Sequence, residues 1–428
     1  MRKKNPSNRF ESIQKLLLKL LVFVLPTQLA IHFWPDQSLV NGIRVDYLSI
    51  AIYLSDLVIL AFVGHFFLLK TNRQLLAGFV KRNIYIVFFS TLLVLLNTFI
   101  SQEPLIAFVR WLKIGEWGLL IFVLINLKID VEKEIQTPLA ISVLGIVAIG
   151  LIQVYLGRTI GGALYLLGER TFNVYTPGIS LINFWGNSFL RMYSIFPHPN
   201  ALGAYLLVLV PLFFVWLKKE QKLLNYLGLI GCFVGIIFAF SVNVYLSFVL
   251  TLITYFWIRH CERSLNCITI FVTTIVVTSL LLMITANQLI DLKYLFTESI
   301  SNRLMLSRVG GLVFSQSPFL GIGLNNFLYF IPKYSSLTGF VWLLQPVHNM
   351  FIYLLVETGL IGLLVVFWTL IKFAKHLVIN NRGVFLFIYI LILMTGFNDH
   401  YWITIQQNIF LLALVFSLAS KPNENASF

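Results

Sequence analysis

The chain has 428 residues, of which 58% are hydrophobic and only 11% are charged. That leaves too little polar surface for a soluble domain and places the chain in a membrane. The formal net charge of +14 raises nucleic acid as a partner, but the Lys and Arg residues fall in short breaks between apolar runs, which is the pattern of a membrane protein's cytoplasmic loops.

A basic start (Arg2, Lys3, Lys4, Arg9, Lys15) precedes the first apolar run, 16–34. No small-residue cleavage site follows, so this run reads as a retained first helix. Further runs occupy 47–69, 84–100, 105–126, 137–156, 200–217, 224–241, 244–258, 268–286, 349–371, 384–398 and 402–419. Each is near the length a bilayer requires, which predicts an all-α polytopic membrane protein of about twelve transmembrane helices, one domain over 1–428. The runs are continuous and rich in Leu, Phe and Ile, unlike the alternating short strands of a β-barrel. Cys232, Cys261 and Cys267 show neither CxxC nor metal-ligand spacing and read as apolar or loop fillers.

Alternating the loops fixes an orientation. The set formed by the N-terminus, 70–82, 127–136, 218–222, 259–263, 372–382 and the C-terminal tail holds twenty of the thirty-one Lys and Arg residues. By the positive-inside rule that set, with both termini, is cytoplasmic. Two long loops, 157–199 and 287–347, then face outwards, as do the turns at 241–243 and 398–401. Arg191, His198, Arg303, Arg308, His348, Asp399 and His400 consequently share the outer face.

Several of these residues stand where helices begin. In Pro197-His198-Pro199-Asn200, two prolines hold His198 extended, and a helix is predicted from about Asn200, a favourable N-cap. His348-Asn349 opens a second long apolar helix. The positive end of each helix favours an anion. Arg303 and Arg308 lie on a predicted amphipathic helix that ends at a Pro/Gly turn, where five-residue spacing points them roughly 140° apart. Glu357, two turns beyond His348, is a strut between helices or a buried member of the site. Asp399-His400 orients a histidine or caps a helix. Asp56, Arg110, Lys113 and Glu116 are further charges within predicted spans, and the last two are spaced to pair.

Arginines and helix N-termini suit phosphate or diphosphate, and an imidazole titrates near neutrality, where a general base works best. The chain has neither a Walker loop nor a His/Cys/carboxylate run with metal-ligand spacing, so no metal or cofactor is expected. An outward site has no access to ATP. A leaving group that travels in the membrane, a polyprenyl diphosphate, fits this chemistry.

Three blocks resemble the O-antigen ligase and polymerase family of membrane glycosyltransferases. They are Arg191 with Pro197-His198-Pro199-Asn200-Ala201-Leu202-Gly203; Asn302-Arg303-Leu304 with Pro318-Phe319-Leu320-Gly321-Ile322-Gly323-Leu324-Asn325-Asn326-Phe327; and His348-Asn349 with Glu357-Thr358-Gly359-Leu360-Ile361-Gly362. The resemblance implies a C-type glycosyltransferase architecture and a metal-independent transferase on the outer face of the bacterial cytoplasmic membrane. It implies an undecaprenyl-diphosphate-linked glycan as donor and a glycan or lipid-linked acceptor. It makes His348 the acceptor-activating base or its close support and places Arg191 and Arg303 on the diphosphate; Arg308 is a further candidate for the diphosphate, and His198, Asn200, Asn349, Glu357, Asp399 and His400 are candidates for support. One departure stands out. The family's Ser-Arg pair after the seventh span reads Ser241-Val242-Asn243 here, without the arginine. A repeat-unit polymerase is the alternative within the family. A transporter or flippase of lipid-linked glycans is the alternative of another class, although the ionisable groups gather at one face and no paired broken helices occur.

Overall fold

The computed structural model describes residues 6–219, 221–291, 298–334 and 344–421. The basic tip of the N-terminus, the C-terminal tail and two parts of the 287–347 loop, 292–297 and 335–343, lie outside the described residues. The protein is mostly helical. In chain order the helices are α1 (Pro6–Val24), α2 (Leu54–Phe67), α3 (Lys70–Arg82), α4 (Ile84–Phe99), α5 (Pro104–Asn126), α6 (Val131–Leu156), α7 (Pro199–Trp216) and α8 (Lys222–Ala239). They continue as α9 (Val242–His260), α10 (Ser264–Asp291), α11 (Glu298–Phe314), the short α12 (Ile331–Tyr334), α13 (Met350–Ile379), α14 (Gly383–Asn398), the short α15 (Tyr401–Thr404) and α16 (Gln406–Ser420).

Among the described residues, α6, α7, α8, α9, α10 and α13 are long and apolar enough to cross a membrane, six spans in all. The pair α2–α3, bent by 98°, would make a seventh. Helices α4, α14 and α16 are apolar but shorter. The expectation of about twelve spans is met only in part, and its departures have local causes. The first apolar run, 16–34, stops being helical at Val24; Thr27 and the strand β1 (Ala30–Phe33) follow. The run from 47 becomes helical only at Leu54, after β4 (Ile50–Tyr53). The last run breaks at Ile405, between α15 and α16.

Between α1 and α2, β1 pairs antiparallel with β4, and β2 (Leu39–Val40) pairs with β3 (Ile43–Arg44). The turn of the inner pair is Asn41-Gly42, both at positive φ, the sequence signature of a tight hairpin. A third hairpin, β5 (Leu181–Phe184) with β6 (Asn187–Leu190), lies in the loop between α6 and α7.

Among the clear spans, helix α7 is the most enclosed. It packs against α8, α9, α14 and α16. Ala201, Gly203 and Ala204 are buried on it, and small residues let membrane helices approach closely. Its buried first turn delivers His198 and Asn200 to the centre of one end of the bundle. One large apolar cluster runs from Leu18 to Ala419, and a small second one gathers Phe172, Leu190 and Tyr193. Cys261 and Cys267 form a disulfide across the α9–α10 turn, so they are not the unpaired fillers expected from the sequence; Cys232 is free and buried.

Candidate functional site

The site is assembled around Asp399, in the turn after α14. Its Oδ1 lies 3.1 Å from His348 Nδ1 and accepts from the His400 backbone N–H at 2.9 Å. Its Oδ2 accepts from Asn200 Nδ2 at 3.3 Å and lies 3.8 Å from Arg303 Nη2. The carboxylate is buried. Burial alone would raise its pKa, but facing His348, His400 and Arg303 it is held well below the usual carboxylate range. A carboxylate can only accept, so His348 Nδ1 carries the hydrogen of this bond.

Helix α13 presents His348. Asn349 is its N-cap, with Oδ1 accepting from the Phe351 and Ile352 N–H groups at 3.0 and 3.1 Å. The amide Nδ2 donates to Ser279 Oγ and Phe397 O, tying α13 to α10 and α14. Asn349 therefore fixes the direction in which His348 leaves the helix.

Arg191 and Arg303 form a cationic layer behind Asp399. Arg191 donates through Nε to Ala239 O and through Nη2 to Asn200 Oδ1, both at 2.8 Å. Burial, the leading influence, lowers its pKa from the ordinary guanidinium value. Arg303 donates to Asn398 O at 2.6 Å. With its amide turned to satisfy both groups, Asn243 accepts from both Arg303 Nη atoms at 3.0 Å. Ser241 Oγ donates to Asn200 Oδ1 at 2.9 Å. The turn that lacks the family arginine thus contributes a hydroxyl and an amide that brace the arginines on either side.

The helix start at His198-Pro199-Asn200 differs from expectation. His198, not Asn200, is the N-cap: its Nδ1 accepts from the Asn200 N–H at 3.1 Å. This leaves the Asn200 side chain free to bridge Arg191 and Asp399. His198 Nε2 faces Ser180 Oγ at 3.0 Å. Burial and the nearby Arg191 push its pKa down to about 3, so it is a neutral structural group. His400 is likewise buried and pushed down to about 3; it bonds Thr404 and stacks obliquely on His348, with ring centroids 5.1 Å apart.

Glu357 is not brought to this site. It is fully buried and accepts from the Asn325 and Phe327 N–H groups at 2.6 and 3.3 Å. Its backbone carbonyl accepts from Gly323 N and Asn97 Nδ2. It fastens the 318–327 turn to α13. Arg308 is partly buried on α11, and its Nε has no acceptor among the described residues.

His348, Asp399, His400 and His198 line a cavity of about 610 Å³. Its other walls are the α5 residues Arg110 and Lys113, which the sequence marked as charges within a span, and two parts it did not mark: the β1–β4 segment with Trp34, Tyr47 and Tyr53, and Arg170 of the 157–199 loop. The Asn41-Gly42 turn was the available signal for that wall, concealed by the apolar runs around it. Lys113 pairs with Asp56, which also accepts from Gln406, and lies 3.7 Å from Glu116. The anticipated Lys113–Glu116 pair is therefore part of a larger network. Arg191, Arg303 and Arg308 do not line the cavity; Asp399 connects it to Arg303.

His348, Asp399 and His400 each offer a ligand atom, all within 4.8 Å of one another. A cation held there would have to share Asp399 with the Arg303 guanidinium, so the charge that a metal would supply is already present.

The family model described as O-Antigen ligase matches residues 227–367. No curated protein matches the chain. The matched segment carries Arg303, Arg308, His348, Asn349 and Glu357, while Arg191, His198, Asn200, Asp399 and His400 lie outside it. Over residues 227–367 this multi-helix membrane protein is thus similar to the O-antigen ligase family, and the matched segment holds His348, Arg303 and Arg308.

Proposed function

We propose that the chain is a membrane glycosyltransferase that moves a glycan from an undecaprenyl-diphosphate donor onto a glycan or lipid-linked acceptor. The observation that carries this reading is the His348–Asp399 contact on the wall of a cavity large enough for a sugar, with Arg303 on the far oxygen of the same carboxylate.

In this reading Asp399 fixes the His348 tautomer, and Nε2 accepts the proton of the acceptor hydroxyl. The hydroxyl oxygen bonds to the anomeric carbon of the donor sugar as the bond from that carbon to the diphosphate oxygen breaks. The electron pair leaves with undecaprenyl diphosphate. Arg303, Arg191 and Arg308 stabilise the developing charge, and the unpartnered Arg308 Nε supports this role. His198, Asn200, Asn349 and His400 position these groups. The layer needs no metal and no cofactor. Ligation and repeat-unit polymerisation use the same step and differ only in acceptor.

The site would face outwards on a single multi-pass domain with cytoplasmic termini. The twelve-crossing arrangement needs α1, α2, α5 and the shorter apolar helices α4, α14 and α16 to cross as well as the six clear spans. The clustering of Lys and Arg in one set of loops supports that orientation. Purified protein with an undecaprenyl-diphosphate oligosaccharide and an acceptor should release undecaprenyl diphosphate, and His348→Ala and Arg303→Ala should lose that release. Passage of the intact lipid across vesicles, without cleavage, would refute the transferase and favour a flippase.

A further inference from the structure

The cavity contains three cations that sequence reasoning left without a role in the chemistry: Arg110, Lys113 and Arg170. Lys113 is neutralised by Asp56. Arg110 and Arg170 are different, because among the described residues neither has a carboxylate at ion-pair distance. Arg110, half-buried in the second turn of α5, donates to the Ile403 carbonyl and lies 5.2 Å over the Trp117 ring. Arg170 donates to the Pro197 carbonyl at 3.1 Å. Each guanidinium has five N–H donors, so most of them are uncommitted.

The carboxylates on the same walls do not answer them. Glu169 is saturated by Gln153 Nε2, Ile160 N and Gly161 N at 2.7, 2.8 and 2.6 Å. Asp399 belongs to His348 and Arg303. Asp46 is exposed to solvent. An unpaired arginine within an apolar helix such as α5 is costly to keep and marks a functional position, while Arg170 reaches the cavity from the exposed 157–199 loop. The surface around these two is aromatic and amide-rich, with Trp34, Tyr47, Tyr53 and Gln345, which suits a sugar better than a lipid chain.

We infer that Arg110 and Arg170 form a second oxyanion subsite in this cavity, which takes a phosphate or carboxylate borne by a sugar of the acceptor glycan. The inference rests on the reading that the cavity receives a glycan beside His348. The donor diphosphate has its own arginines on the other side of Asp399, held by Asn200, Asn243 and Asn398, whereas Arg110 and Arg170 are held by Ile403 and Pro197.

The test uses the full chain in lipid nanodiscs with four probes: glucuronic acid, glucose 6-phosphate, glucose and undecaprenyl diphosphate. Both acidic sugars should bind about tenfold or more tightly than glucose, the difference made by one charge-assisted pair. Arg110→Gln and Arg170→Gln should erase that preference, while the Lys variants keep part of it and undecaprenyl diphosphate binds as before. Matching melting temperatures exclude misfolding. A wild type with no preference for acidic sugars overturns the inference. So does a loss of undecaprenyl diphosphate binding in the Gln variants, which would assign the two arginines to the donor. If undecaprenyl diphosphate does not bind and an undecaprenyl-diphosphate oligosaccharide is not cleaved while the acidic-sugar preference holds, the transferase reading fails and the subsite stands.

Discussion

Asp399 divides its two oxygens between the halves of the site, His348 and His400 on one and Asn200 and Arg303 on the other. Asparagine at this position keeps the size but offers His348 an N–H in place of an acceptor, or loses the contact to Asn200. Asp399→Asn should therefore lower kcat by roughly 10²-fold or more, within the range that a general base contributes, with little change in donor KM. The buried histidines respond to pH in a definite direction. His198 and His400 are lowered from 6.5 to about 3 in the folded protein, so between those values the unfolded chain binds protons that the folded chain refuses. Stability should fall as pH drops through that window. Loss of the depressed Asp399 carboxylate adds to the decline below its unfolded value. Melting temperature measured from pH 7 to pH 4 should show the slope, and His198→Asn should flatten it. At this scale the sequence was informative about which residues matter, because histidines and arginines are scarce in an apolar chain. It was silent on the pairings, since His348 and Asp399 lie 51 residues apart.

Elements explain why the family blocks have the form they do. The turn Pro318–Phe327 docks on the break in α13 at Gly359. Ile322 N and Gly323 N bond the Val356 and Glu357 carbonyls, and Leu360 N bonds Pro318 O. Gly359 has φ +67°, and a Cβ there would lie 2.3 Å from the Phe319 carbonyl carbon. Gly359→Ala should cost about 1–3 kcal/mol through strain and displaced backbone, and the loss of stability should exceed any loss of rate per folded molecule. Glu357→Gln keeps an acceptor for only one of the Asn325 and Phe327 N–H groups and sets an NH2 against the other, so it should lose stability, though less than Glu357→Ala, which leaves both unpaired. Most helices were legible from hydropathy, including the caps on α7 and α13 within two residues, but α3 occupies 70–82, which its basic composition had marked as a loop. The N-terminal strands were not. Their residues are as apolar as a span, and the Asn41-Gly42 hairpin signal is only two residues long. Missing them hid the cavity wall that carries Trp34, Tyr47 and Tyr53.

For the whole molecule, orientation joins the chemistry to its substrate. Cysteine introduced at Lys375 should react with an impermeant reagent only from the cytoplasm, and cysteine at Asn173 only from outside. The native pair supplies an independent check. Cys261 and Cys267 are bonded in the structure, yet the charge count puts their turn in the cytoplasm, where thiols are kept reduced. Rapid alkylation of both in cells supports the proposed orientation, and a persistent bond argues for the reverse. Chelation should leave the rate unchanged if Arg303 supplies the positive charge beside Asp399, whereas loss of activity with EDTA, restored by a divalent metal, would assign a metal to His348, Asp399 and His400.

The central claim is that His348 and Asp399 act as one unit in cleaving a lipid-diphosphate donor. The most direct measurement is acceptor-dependent release of undecaprenyl diphosphate by wild type, His348→Ala, Asp399→Asn and the double variant. Residues that work as a unit are strongly non-additive. The account predicts that the double variant is no slower than His348→Ala alone. Losses that multiply, or full release by His348→Ala, would contradict it.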